Sequence, residues 1–320
     1  VTTLRNLIDN IKWEPVRELY YEVETFFLFY PERIKKLIYT HRSKAKEKCT
    51  PQPGRIALVK RSMLEADSLT GLLEKATYLF DKACEVGAGA VVLTTGAAEV
   101  LTQLAPISTS RVTNLILDSF EAFWGSLALK YELWIIVGTR TLYNRAHKRE
   151  LCYCFDPTGK CCYQFKTHLS PQEVKDGYVP GRQVKVFETA AGPIALAFAG
   201  EEQYFELARM QAARGAKIVV RLGDWPEDLE ITALHGEWAR AQENNCYYVS
   251  GNRIYSPTYL SIDGSGIFVV VDSEDLPFIQ VDANLDRLAH SCEDPGAIPA
   301  VNQDLMNRYL PYLYRQLWSL

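Results

Sequence analysis

Four times along this chain a helix-forming stretch runs into a short, almost wholly apolar strand, and that repeat confines the fold more than any single residue does. The spacing predicts a helix over 69–86, with Leu72, Leu73, Ala76, Leu79, Phe80 and Ala83 three or four residues apart, then a turn at 87–89 and a buried strand over 90–94. The unit returns as helix 113–131 before strand 133–138, helix 204–214 before strand 217–222, and helix 231–245 before strand 246–251. Strands that read as continuous apolar runs are those covered on both faces, so an α/β chain with layered sheets is expected. A strand at 56–60 opens the series. Two hairpins are expected among these units, 151–155 with 161–165 about Asp156-Pro157-Thr158-Gly159, and 258–262 with 267–271 about Asp263-Gly264-Ser265-Gly266.

The flanks are different in kind. Between 13 and 39, Leu19, Tyr20, Val23, Phe26, Phe27, Tyr30, Ile34, Leu37 and Ile38 recur at helical spacing with a break at Pro31, which predicts two short amphipathic helices. Glu22, Glu24, Glu32, Arg33, Lys35 and Lys36 interrupt any run approaching the roughly 20 apolar residues of a bilayer span. No membrane span is expected, and the apolar face is expected to pack on the main domain or on a second subunit. The basic stretch 42–48, followed by Pro51, Pro53 and Gly54, reads as a linker. At the other end Met306, Tyr309, Leu310, Tyr312, Leu313, Leu317 and Trp318 form an apolar set, each worth about 1.5–3 kcal/mol when buried. The expected plan is therefore a helical extension and linker over 1–53, a main domain over 54–285 and an arm over 286–320 that crosses a subunit boundary in a homo-oligomer, a dimer or higher.

Composition narrows the partners. In 320 residues the formal net charge is −4, which argues against the basic face that nucleic acid requires. Residues 1–10 carry no basic segment followed by an apolar stretch, and the eight cysteines lack framework spacing, so reduced thiols and a cytoplasmic location are expected. Cys152 and Cys154 alternate on one strand, with Cys154 expected opposite Cys161. That arrangement reads as buried strand residues rather than a soft-metal site, and Cys246 reads as the start of a core strand. His41, His147, His168, His235 and His290 are scattered without metal-ligand spacing. No metal or cofactor is expected.

Residues 194–207 concentrate the functional question. An apolar strand runs through Phe198, turns at Gly200 and enters an acidic helix start, the local shape that presents a nucleophile, but the residue at the turn is Ala199. A methyl group cannot attack carbon.

A family resemblance emerges from the ordered motifs. These are Gly87-Ala88 before a buried strand, Tyr143-Asn144, Asp156-Pro157-Thr158-Gly159, Lys166-Thr167-His168-Leu169 and Pro180-Gly181. The Ala199 turn with Glu206-Leu207-Ala208-Arg209 follows, and then Ala239-Arg240-Ala241-Gln242-Glu243-Asn244 through Asn252-Arg253. Together they resemble the nitrilase, or carbon-nitrogen hydrolase, superfamily over roughly residues 54 to 290. The resemblance implies a four-layer α-β-β-α sandwich that commonly dimerises through helices beside its active site. It also implies a trio in which a glutamate is the general base, a lysine holds the oxyanion and a cysteine attacks an amide or nitrile carbon to give a thioester or thioimidate.

Carried over residue by residue, Lys166 matches the lysine, and Glu173 the second glutamate that positions substrate and lysine. Thr95 stands where the base belongs and Ala199 where the cysteine belongs. Glu99, four residues on, could bring in a carboxylate if the turn is shifted, and Glu201 is the acidic residue two places after the nucleophile position. Asp224 and Trp225 fall in the loop that lines the pocket in the resembling proteins, although for Trp225 a packing role is equally open; His168 is expected to make a structural hydrogen bond to the loop.

Three readings compete. The favoured one is a pseudoenzyme that keeps the pocket for a small amide, nitrile or acid ligand, or the dimer for assembly. The second is an amidase or nitrilase seen with an alanine substituted for its cysteine. The third is water-mediated acid–base work by Lys166 with Glu173 and Glu201.

Overall fold

The computed structural model describes residues 9–10, 14–41, 49–59, 61–93, 97–105, 113–144, 147–223, 230–251, 253–257, 268–270 and 276–289. Within them the chain forms two six-stranded mixed sheets. The first has the order β12-β1-β2-β3-β4-β5, from β1 (Arg55–Val59), β2 (Ala90–Leu93), β3 (Trp134–Asn144), β4 (His147–Phe155), β5 (Cys161–Phe165) and β12 (Ile279–Asp282). The second has the order β11-β10-β9-β8-β7-β6, from β6 (Val186–Thr189), β7 (Gly192–Phe198), β8 (Ile218–Leu222), β9 (Tyr247–Ser250), β10 (Arg253–Tyr255) and β11 (Phe268–Val270). In each sheet three consecutive strands are parallel, β1-β2-β3 and β7-β8-β9, and the outer strands are antiparallel.

The parallel strands are almost wholly apolar because they are covered on both faces. Ala90 to Leu93 and Ile218 to Leu222 are buried at every position. Ile56, Leu58, Val92 and Ile136 of the first sheet share one core cluster with Ile194, Leu196, Phe198 and Val220 of the second, so the sheets pack face to face. On the far side of the first sheet lie two long helices, α3 (Leu69–Glu85) and α5 (Thr113–Tyr131), with Leu72, Phe80, Phe120 and Trp124 against Val91 and Ile135. On the far side of the second lie α7 (Phe205–Ala213) and α8 (Glu230–Asn244), with Ala241 and Trp238 against Val219 and Tyr248.

The amino-terminal helices, α1 (Glu14–Leu28) and α2 (Pro31–Thr40), join this body. Phe29, Ile34 and Ile38 are buried in the same cluster as Phe120 and Trp124 of α5. The Ser119 hydroxyl donates to the Phe29 carbonyl, and the Lys130 ammonium donates to the carbonyls of Ile38 at 3.1 Å and His41 at 2.9 Å. Helix α1 turns Glu22 and Thr25 inward and leaves Leu19, Phe26 and Phe27 exposed. No helix among the described residues is long and apolar enough to cross a membrane.

Two expectations need correction, and a third falls outside the described residues. Cys154 lies opposite Cys162, not Cys161, because the hairpin loop takes in Lys160, whose carbonyl accepts from the Asp156 N–H at 3.1 Å. Strand β3 does not stop at 138 but continues past a bulge between Val137 and Thr139 to Asn144, forming a second arm with β4. The partner of β11 is β10, whereas residues 258–262 lie outside the described residues, as does the arm from 290 onward.

Candidate functional site

The site forms where the ends of β5 and β7 meet. Beyond β5 the Lys166 N–H donates to the Glu150 carbonyl at 2.9 Å, prolonging the β4–β5 ladder by one step and making Lys166 and Glu150 cross-strand neighbours. The Lys166 ammonium, 5% exposed as a residue, lies 2.6 Å from Glu173 Oε1 and 3.5 Å from Glu150 Oε2. It also donates to the carbonyl oxygen of Ala199 at 2.9 Å. The lysine and position 199, brought together by the family resemblance, are thus adjacent in space.

Glu173 is placed by a local device. Ser170-Pro171-Gln172-Glu173 opens the short helix α6 (Pro171–Lys175) with a capping box: the Ser170 hydroxyl accepts from the Glu173 N–H at 3.2 Å and Glu173 Oε2 accepts from the Ser170 N–H at 2.7 Å. One carboxylate oxygen therefore holds the helix start and the other holds the lysine. Burial works against the Glu173 charge, but the Lys166 and Ser170 donors outweigh it and keep its pKa below the usual range. Burial likewise opposes the Lys166 charge, and Glu150 and Glu173 outweigh it, so its pKa is raised. Glu150 goes the other way: burial pushes its pKa up more than the ammonium pulls it down.

Strand β7 ends at Phe198, and Gly200 follows in the left-handed region at φ 88°, which favours glycine and lets the chain drop into a 3-10 turn over Glu201–Gln203 before α7. Glu201 is 2% exposed. Its Oε1 accepts from Thr167 N at 2.7 Å, Thr167 Oγ1 at 2.8 Å and His168 N at 2.9 Å, and its Oε2 accepts from Phe198 N at 2.9 Å. This carboxylate binds the lysine loop of one sheet to the turn of the other, with both oxygens occupied by the protein. His168 packs its ring 4.6 Å from Tyr204, and its Nδ1 is 3.0 Å from the Thr167 hydroxyl. Facing the Ala199 methyl at the end of β8 is Gly223, where any β-carbon would come within 2.6 Å of Ala199 Cβ.

Beneath the turn lies a second buried network that sequence reasoning missed. Arg221 occupies a fully buried strand, with its Nε 3.2 Å from Glu202 Oε2 and 3.4 Å from Glu237 Oε1. Glu202 Oε2 also accepts from the Gly200 N–H at 3.0 Å, so the network reaches the turn after Ala199 through the backbone. Burial raises the Glu202 pKa despite its own backbone N–H and Arg221.

Of the residues anticipated at the site, Lys166, Glu173, Ala199 and Glu201 come together. Glu99 is exposed in the first turn of α4 (Ala97–Gln103), and the carboxylates gathered on Lys166 are Glu150 and Glu173. Thr95, Asp224 and Trp225 lie outside the described residues. Glu150 was legible in principle, because a charged residue that opens the apolar run 151–155 opposite the lysine must face it across the ladder. Among the described residues no thiol is in contact with Lys166 or Ala199: Cys152 donates to the Val137 carbonyl at 3.1 Å, and burial pushes the Cys161 and Cys246 thiols up to about 12.

A family model for carbon-nitrogen hydrolases matches residues 69–274. The chain belongs to the carbon-nitrogen hydrolase family. It is 30% identical over 235 residues to the probable hydrolase YhcX of Bacillus subtilis (strain 168), covering 69% of this chain and 45% of that protein. It is 29% identical over 145 residues to the "hydrolase in agr operon" of Staphylococcus lugdunensis, covering 42% of this chain and 60% of that one. The chain spans about half the length of the curated relatives it matches. Among solved structures it is similar to the amidase from Nesterenkonia sp. AN1 carrying the acetamide moiety of fluoroacetamide at its active site cysteine, with a TM-score of 0.56 and 17% identity over 82% of this chain and 96% of that one. A cysteine-to-alanine mutant of the same amidase aligns with a TM-score of 0.53 at 17% identity, over 84% of this chain and 99% of that one. The shared fold is mixed α/β with two mixed sheets.

Proposed function

We propose that this chain is a pseudoenzyme of the carbon-nitrogen hydrolase family, a four-layer α-β-β-α protein that binds a small amide-like ligand at Lys166 and does not turn it over. The observation that carries the reading is the 2.9 Å hydrogen bond from the Lys166 ammonium to the Ala199 carbonyl. It supports a lysine working beside position 199, where a methyl stands in place of any attacking atom. Electrostatics favour a neutral ligand. One ammonium faces Glu150 and Glu173, with Glu201 directly behind, so an incoming carboxylate would meet three others, whereas an amide offers its oxygen to Lys166 and its N–H groups to a carboxylate.

A second reading has support in the same geometry. Lys166, held by Glu173, could stabilise an oxyanion, and a cysteine at 199 would restore an amidase or nitrilase that works through a thioester, with Thr95 still leaving the base to another group.

The two readings separate by assay of the unaltered chain, Ala199→Cys, and Ala199→Cys with Thr95→Glu against a panel of small amides and nitriles, together with acetamide binding by saturation-transfer NMR. The pseudoenzyme reading expects acetamide binding that Lys166→Met abolishes, and no turnover by the unaltered chain or by Ala199→Cys. Turnover by the unaltered chain sinks it, and sustained turnover by Ala199→Cys alone favours the second reading.

A further inference from the structure

We infer that the cleft on the outer edge of the first sheet, between β5 and the segment 180–185, is a binding site for a small polyphosphate or phosphate ester. The cleft encloses about 260 Å³ and is lined by Arg149, Arg182 and Lys185, with Tyr163 and Phe165 as its floor. Among the described residues no carboxylate lines it, and none of the three cations has an ion-pair partner. In a chain whose net charge is −4, three cations around one cavity without an acid are a local excess that favours an anion.

Two of the three cations are also held in place. The Arg149 guanidinium lies 5.1 Å from the Phe165 ring centroid, and the Lys185 ammonium lies 5.4 Å from that of Tyr163 while donating to the Tyr163 carbonyl at 2.8 Å. Tyr163 and Phe165 meet edge to face at 5.1 Å, which ties the two cation platforms together. The wall opposite is fixed by Gln164, whose amide donates to the Phe165 and Gln183 carbonyls at 2.8 and 2.7 Å and accepts from the Lys185 N–H at 2.9 Å. Side chains ordered before the ligand arrives lose little entropy when it binds, and two guanidinium forks favour phosphate oxygens. The volume falls below the roughly 300 Å³ at which drug-sized sites begin, so the occupant is small.

The test is calorimetric titration of the full chain with inorganic pyrophosphate at fixed ionic strength, with citrate as a tricarboxylate control. Expected is saturable one-to-one binding of pyrophosphate, at least about tenfold tighter than citrate, that Arg149→Gln with Arg182→Gln weakens at least about tenfold. Both substituted residues are exposed, so the melting temperature without ligand should be unchanged, and Arg149→Lys should recover part of the affinity. No saturable binding at millimolar pyrophosphate, equal binding by the double variant, or citrate binding as tight as pyrophosphate would each overturn the assignment.

Discussion

The Lys166 ammonium reaches the carbonyl oxygen of Ala199 at 2.9 Å, linking the end of a strand in one sheet to the turn that leaves a strand in the other. The bond joins groups 33 residues apart and is partly buried, on the lysine side above all. Its removal therefore acts on stability as well as on any ligand. Lys166→Met leaves Glu150 and Glu173 beside each other without a cation and should destabilise the chain by about 3–5 kcal/mol in urea titration. A loss under about 1 kcal/mol would mean that the pair is solvated rather than buried.

Glu201 should be the least replaceable carboxylate of the site. Its substitution by alanine orphans four donors, three of them backbone N–H groups that cannot turn elsewhere, at a cost of about 3 kcal/mol or more. Glu201→Gln should recover only part of the loss, because its carbonyl oxygen can accept the three donors on Oε1 while its amide nitrogen turns hydrogens toward the Phe198 N–H. Equal denaturation midpoints for Glu201→Gln and the parent would contradict this placement.

The pH dependence of stability should have opposite signs at the two carboxylates on Lys166. Glu173 has a depressed pKa, so the stability it contributes is present above the ordinary value of about 4.3 and is lost as pH falls through its folded value. Glu150 has a raised pKa, so the folded chain holds its proton longer than the unfolded one, and stability declines as pH rises from about 4.3 through the folded value. Glu150→Gln should therefore equal or exceed the parent at pH 7, while Glu173→Gln should fall below it. Denaturant curves at pH 4, 5.5 and 7 read both signs; a Glu150→Gln protein less stable than the parent at pH 7 would refute the assignment.

The Arg221 network should show the asymmetry of buried ion clusters. Arg221→Leu alone strands Glu202 and Glu237 in the interior and should destabilise by about 3–5 kcal/mol. Replacing all three with apolar residues of similar volume should restore most of that loss. Comparison of the single and triple variants by thermal melts decides it, and a triple variant worse than the single would show that the network does more than neutralise itself.

Much of this architecture could be read in advance because burial dictates it. The helix at Thr113–Tyr131 matches its expected bounds, and the strand–turn–helix about Ala199 lies where its apolar run and Gly200 place it. Pro31 divides the amino-terminal helices as its missing N–H requires. The misses have physical causes. Strand β12 supplies only Ile279 to Asp282 as an antiparallel edge, too short to stand out by periodicity. The Cys154 register failed by one residue because loop length, not strand pattern, sets a hairpin's pairing. At the site, Glu173 was found through its motif although Ser170 three residues before it announces a capping box, and Glu150 escaped because its meaning depends on a cross-strand neighbour.

The amino-terminal helices change what counts as a self-sufficient unit of this protein. The stretch that matches the family begins at residue 69, after β1, whose loss would split the first sheet between β12 and β2. A fragment trimmed further back only to residue 54 would keep every strand yet strip Phe29, Ile34 and Ile38 from α5, baring a large greasy flank around Phe120 and Trp124. Anyone cutting the chain at a family boundary would be handling a sticky, half-clothed particle.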